Sequence, residues 1–311
     1  MTKRTLFIII GLLVLLDLAA IIIYLAGTKN GDGRSPLDLT FDKSNEVTLA
    51  DTIPQKVAAD EFDTIQTSVN FLSTDKVQDG GEMKRMSSTV KVKFIWPKEI
   101  NKSKQFMELE NVLMMKLTGQ TYSSVKKMVN ELSTNPKFVK PSTHFTRVNH
   151  DFSDSKGASH TTQRYMVFPY FSTHYLLEMV VVVDQFNGGK STRTMNVVHY
   201  DRMHGNIITA DKIFDPSETD DILALLNQSI EAMKIDRNND KLHETTMIPK
   251  DFLLGTKSVI FYVPDGTIAP TGTGLYEVRV SNDKLRPHFT DFYNDILSND
   301  SHFVSYEFLT W

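Results

Sequence analysis

Chemistry in this chain would have to come from a few recognisable groupings. Gly188-Gly189-Lys190-Ser191 has the composition of the end of a phosphate-binding loop. Such a loop needs a glycine where Asp184 stands, and a helix after Ser191 so that backbone amides point at phosphate. The residues after Ser191 read as a strand, so phosphate binding is not expected. Nine histidines are present. The tightest group is His199-Tyr200-Asp201 with His204, and His144 and His150 form a looser pair. None has the His-Glu-x-x-His spacing of a zinc hydrolase, and residues 201–205 read as a turn after a strand. No Gly-x-Ser-x-Gly elbow occurs, and Asp220-Asp221 is explained by the start of a helix. The expectation is a protein without catalytic residues, cofactor or metal, that is, not an enzyme. A cell-wall hydrolase using the scattered histidines is the remaining enzymatic alternative.

Residues 258–280, SVIFYVPDGTIAPTGTGLYEVRV, carry more information. They read as a strand, a Pro-Asp-Gly turn, an Ile-Ala-Pro segment, glycines and a second strand. Pro264 and Pro270 fix φ, and the intervening glycines allow shapes that other residues resist. Phe261, Tyr262, Pro264, Ile268 and Pro270 are the expected ligand-binding residues if exposed, because rigid and aromatic segments make efficient contacts.

The elements that would position this stretch follow from periodicity. Ile65, Thr67, Val69 and Phe71 alternate with polar residues, as do Val90, Val92, Phe94 and Trp96 around Lys91 and Lys93. Helical spacing follows in Phe106, Leu109, Val112, Leu113 and Leu117, and again in Tyr122, Val125, Met128, Val129 and Leu132. Met114, Met115 and Met128 read as core filling rather than a soft-metal patch. Residues 164–168, 175–184 and 192–200 are β-rich, with Asn187-Gly188-Gly189 as a hairpin turn. Val180 to Val183 are apolar on both faces, which suits a central strand covered from both sides. Pro216-Ser217 with Asp220 looks like a capping-box start for a helix whose apolar face is Ile222, Leu225, Leu226, Ile230 and Met233. Residues 252–254, 259–263 and 276–280 are the last strands. This order predicts an α+β fold of antiparallel sheets with packed helices.

Ahead of all this lies LFIIIGLLVLLDLAAIIIYLA, residues 6–26. As a helix it is long enough to cross a hydrocarbon core of about 30 Å. Asp17 costs about 2.5–3.5 kcal/mol near mid-membrane, which the apolar residues offset at about 0.3–0.6 kcal/mol each. A cleaved signal peptide would have a shorter apolar core, of about 7–15 residues, and a better cleavage site than Leu25-Ala26-Gly27. The reading is therefore one N-terminal transmembrane helix. Lys3 and Arg4 keep the N-terminus inside, so everything after Gly27 is exported. The chain divides as tail 1–5, transmembrane helix 6–26, stalk 27–60, two α+β domains at 61–190 and 191–295, and a C-terminal extension 296–311. With a net charge of −4 and no cysteine, nucleic acid is not an expected partner and a disulfide framework is excluded.

Phe261-Tyr262, Ile268-Ala269-Pro270, Gly274 and Glu277-Val278 resemble the C-terminal signature of RsiV-like ectodomains. The run from Gly205 through Thr209 and Asp211 to Phe214 is similar to that family's approach to its helix. Residues 62–186 look like the PdaC-like domain that often precedes it. The resemblance implies an exported α+β domain that binds rather than catalyses, with a lysozyme-like protein or peptidoglycan as partner. Two departures qualify it. The cytoplasmic tail is too short for a sigma-binding segment, and Gly266 and Thr271 stand where the family often has tyrosines. The expectation is a single-pass protein of the bacterial inner membrane with an extracytoplasmic, periplasmic sensing domain. The alternative is an envelope scaffold without a soluble ligand, joined to its partners through the anchor and Asp17.

Overall fold

The computed structural model describes residues 62–79, 81–98, 105–134, 136, 144–150, 152, 159–187, 190–236, 241–255, 257–299 and 304–305. The expected tail, membrane segment and stalk lie outside the described residues, as does most of the C-terminal extension. Among the described residues, no helix is long and apolar enough to cross a membrane.

Strands form where the alternation is strict. β1 (Phe62–Asp79) and β2 (Glu82–Pro97) make a long antiparallel hairpin, in which Val90, Val92, Phe94 and Trp96 are buried and Lys91 and Lys93 half-buried. The chain then makes α1 (Gln105–Thr118) and α2 (Val125–Leu132), and β3 (Phe145–Val148) pairs along the other side of β1. Ser124 caps α2 by accepting the Lys127 amide hydrogen. β4 (His160–Ser172), β5 (Leu176–Asn187), β6 (Lys190–Asp201) and β7 (Asn206–Ile208) complete a sheet of order β3-β1-β2-β4-β5-β6-β7; a short β11 (Val304–Ser305) also pairs with β4. The fold is α+β, as expected, with one difference: β2 and β4 run parallel, from Ser87↔His160 to Phe94↔Val167. Parallel neighbours need a long crossover, and the segment carrying α1, α2 and β3 supplies it.

β5 is the centre of the structure. Leu177, Met179, Val181 and Val183 pack with Leu109, Leu113, Met114, Met128 and Leu132 of α1 and α2. Thus Met114 and Met128 are core residues, while Met115 is exposed. Leu176 points the other way, into a second core. In β4 the register shifts between Pro169 and Phe171. The extra residue moves Phe171 into the second core, although Tyr165 and Val167 face the first.

The second core lies under a three-stranded sheet of order β10-β9-β8, made of β8 (Asp251–Leu253), β9 (Ser258–Val263) and β10 (Tyr276–Ser281). α3 (Thr219–Asp236), α4 (Asn282–Leu285) and α5 (Asp291–Asn299) contribute Ile222, Leu226, Ile230, Leu285, Tyr293 and Ile296 to it. Each such aliphatic side chain contributes about 1.5–3 kcal/mol on burial. The start of α3 differs from the sequence reading. The cap is Asp215, whose carboxylate accepts from the Ser217 amide at 2.9 Å and the Ser217 hydroxyl at 2.7 Å. Pro216–Glu218 form a 3-10 turn before the α-helix proper. The expected division at 190/191 runs through the β5–β6 hairpin, whose strands pair from Asn187↔Lys190 to Leu176↔Asp201.

Candidate functional site

Residues 264–275 connect β9 to β10, and within them the loop 264–274 is gathered chiefly around one side chain. The Asp265 carboxylate accepts the amide hydrogens of Gly272, Thr273 and Gly274 at 2.8–3.0 Å. The amide bonds from Gly272 and Gly274 hold this carboxyl below its ordinary value. The Thr267 amide closes a turn onto the Pro264 carbonyl, and the Thr273 hydroxyl bonds the Pro270 carbonyl. Gly266 has φ +79°, and a Cβ there would sit 2.9 Å from the Thr271 hydroxyl oxygen. Gly266→Ala is therefore expected to cost about 1–2 kcal/mol, read as a lowered midpoint in thermal unfolding.

The structure separates the five expected ligand-binding residues. Pro264 and Pro270 are exposed on this loop. Phe261, Tyr262 and Ile268 are buried at 0%, 1% and 0% exposure. The Phe261 ring packs against Phe214 and Phe252, and Ile268 and Ala269 plug the second core. Those three side chains hold the loop from beneath and cannot touch a ligand at the surface. Its accessible face is instead Pro264, Asp265, Gly266, Pro270, Thr271 and Thr273.

The histidine cluster of the sequence is split. His204 is exposed in a turn, where Asp201 accepts the Met203 and His204 amide hydrogens and meets His204 Nδ1 at 2.7 Å. His199 is buried and turned elsewhere. Its Nε2 lies 2.9 Å from Glu178 Oε1 and 3.1 Å from the Phe252 carbonyl, and its ring stacks on Phe252. Glu178 is fully buried, and its Oε1 also accepts the Leu254 amide hydrogen at 2.8 Å. Burial, the largest influence, raises the Glu178 carboxyl above its ordinary value. Burial likewise raises the hydroxyls of Tyr262 and Tyr293, which interact electrostatically with Glu178.

Two other groupings have the residue types for chemistry. Ser87 Oγ lies 2.8 Å from His160 Nδ1, both buried between β2 and β4. The far nitrogen of His160 meets the Thr162 hydroxyl at 3.0 Å, not the carboxylate that stabilises an imidazolium in a hydrolase. Burial also lowers the His160 ring below its ordinary value, favouring the neutral form. This pair is a satisfied ladder contact. Ligand atoms of Glu218, Asp221 and His288 lie within 4.8 Å of one another. The carboxylates flank the start of α3, where the helix dipole attracts anions and opposes a cation. His288 Nδ1 meets Glu218 at 3.1 Å, and the Asp215 amide bonds the His288 carbonyl. The cluster ties two chain segments together.

Comparison with known proteins bears on the architecture. The chain shares its fold with a solved DUF3298 family protein. That protein, from Bacteroides fragilis, superposes with a TM-score of 0.54 at 14% identity, over 76% of this chain and 95% of that one. A DUF3298 family protein from Pseudomonas aeruginosa gives 0.46 at 12% identity, over 76% of this chain and 98% of that one. No family model and no curated protein matches the sequence.

Two residues escaped the sequence reading although a signal was present. Glu178 is a lone acidic residue in LLEMVVVV, a run apolar on both faces. A carboxyl there has to be buried and must find a partner. Asp265 read as a turn former. The Gly-Thr-Gly that follows it seven residues later is a run of small residues whose amides can converge on one carboxylate.

Proposed function

We propose that the chain is a membrane-anchored, extracytoplasmic binding protein of the bacterial cell envelope, whose loop 264–274 recognises a lysozyme-like protein or peptidoglycan. The observation that carries this reading is the Asp265 carboxylate gripping three successive amides. A loop fixed before binding loses less conformational freedom when a partner arrives, so more of its contact energy appears as affinity. The exposed prolines and threonines on it make a rigid contact face around that carboxylate. Residues 6–26 support export, and the RsiV-like and PdaC-like resemblance supports a recognition role. The fold shared with the Bacteroides fragilis DUF3298 protein is compatible with both.

The test is a titration of the full-length chain, in detergent, with lysozyme and separately with soluble peptidoglycan fragments. Saturable binding to one of them, weakened by Pro270→Gly, is the expected result. Absence of binding to either at high micromolar concentration would remove the reading. A reporter fused to the C-terminus tests the topology independently: activity of a periplasm-specific reporter is expected, and a cytosolic signal would count against export.

A further inference from the structure

Glu178 is the third residue of β5, with Phe171 of β4 and His199 of β6 as its cross-strand neighbours. It is completely buried; Oε1 takes two contacts, and Oε2 has no hydrogen-bond partner among the described residues. His199 Nε2 faces two acceptors, Glu178 Oε1 and the Phe252 carbonyl, so that nitrogen carries a hydrogen. Phe252 lies in β8, and Leu254, whose amide hydrogen bonds Glu178, follows it directly. One carboxyl–imidazole pair on the large sheet therefore grips the backbone of the second sheet on both sides of Leu253.

We propose that Glu178 and His199 form a proton-responsive clasp that fastens the second sheet to the first and slackens as the pH rises. A protonated carboxyl can stay at this site without charge, still accepting the Leu254 amide hydrogen through Oε1. Once its proton leaves to solvent, the buried anion is hydrogen-bonded at Oε1 alone and its Oε2 is left without a donor, which is unfavourable at a site closed to water. The surroundings offer little compensation. Tyr262 of β9, Tyr293 of α5 and Tyr170 of β4 are phenols, Asp251 of β8 and Glu277 of β10 are acids, and Arg279 of β10 points from an exposed position. His199 meets the carboxyl directly through Nε2.

The sign follows from burial. The folded Glu178 carboxyl holds its proton to higher pH than the same group in the unfolded chain. Its contribution is full below the ordinary carboxyl range and is lost as the pH rises through the raised value. β9 continues from this region into loop 264–274, so a slackened clasp would also loosen the loop. That consequence rests on the function proposed above; the clasp does not.

The experiment measures hydrogen exchange at the Leu254 amide in the full-length chain between about pH 5 and pH 9, corrected for base-catalysed chemistry. Protection is expected to fall by about tenfold or more across this window in the wild type and to stay level in Glu178→Gln, whose Oε1 accepts the same hydrogen without titrating. Parallel profiles in the two proteins would overturn the clasp. If the variant does not fold, a carboxyl titration of the wild type by carbon NMR decides: one glutamate ionising well above the others supports the proposal, and all glutamates in the ordinary range overturn it. Neither measurement involves a ligand, so failure of the clasp and failure of the binding role are distinguishable.

Discussion

Phe261→Ala is expected to lower the stability of the protein by about 3–5 kcal/mol while leaving ligand affinity per folded molecule unchanged. The side chain is wholly buried and sits 5.8 Å, centroid to centroid, from both Phe214 and Phe252. Removing the ring loses its transfer free energy and leaves a cavity between β8, β9 and the Phe214↔Phe289 bridge, all parts of one packed unit. Urea unfolding followed by tryptophan fluorescence and circular dichroism measures the loss. Binding measured well below the unfolding transition separates a core role from a contact role. A Phe261 variant of normal stability with abolished binding would contradict the packing described here.

Asp265→Ala is expected to act in the opposite sense, weakening recognition by about tenfold or more with little change in global stability. The carboxylate is exposed and stands outside the core, so removing it leaves the hydrophobic clusters intact. The loop loses the one acceptor that gathers the Gly272, Thr273 and Gly274 amides. Each of those amides can then turn to water, and the ligand has to order the loop on arrival. Acid is expected to imitate the substitution. The folded Asp265 carboxyl is lowered, so its contribution is present above the ordinary aspartate range and is lost as the pH falls through the depressed value. Exchange of the three amides, and titration of lysozyme or peptidoglycan fragments, read both effects. Equal affinity in the variant and the wild type would show that the loop's preformed shape is unimportant for binding.

The contrast between these two residues shows where sequence patterns stop being informative. Alternation of period two identifies β1 and β2 because one face of each strand differs in polarity from the other. In Val259 to Val263 every residue is apolar, so nothing in the pattern says which rings are covered. The structure covers all of them, with Val259, Phe261 and Val263 in the second core and Ile260 and Tyr262 buried as well. Phe261, Tyr262 and Ile268, expected to make contacts only if exposed, are thus buried, while Pro264 and Pro270 stand exposed on the turn that follows the strand. Similarly, Ser217 was the expected cap of α3 because serine suits that role, but Asp215 holds it through a 3-10 turn that periodicity does not register.

Although β3, α4 and α5 left no pattern that was legible in it, the sequence by itself determined the types of β1, β2, α1, α2, α3 and β8 to β10, the apolar faces of α1 and α3, the double-sided burial of β5 and the turn after β9. These depend on interactions within a few residues or on a repeat along one strand. Only the tertiary structure decided that β2 and β4 lie parallel, that His199 leaves Asp201 and His204 to meet a carboxyl, and that Glu178 is closed off by Leu254, 76 positions away in the chain. A buried polar group announces its need for a partner through composition. Which partner it finds depends on how the two sheets are laid together, and no local spacing encodes that.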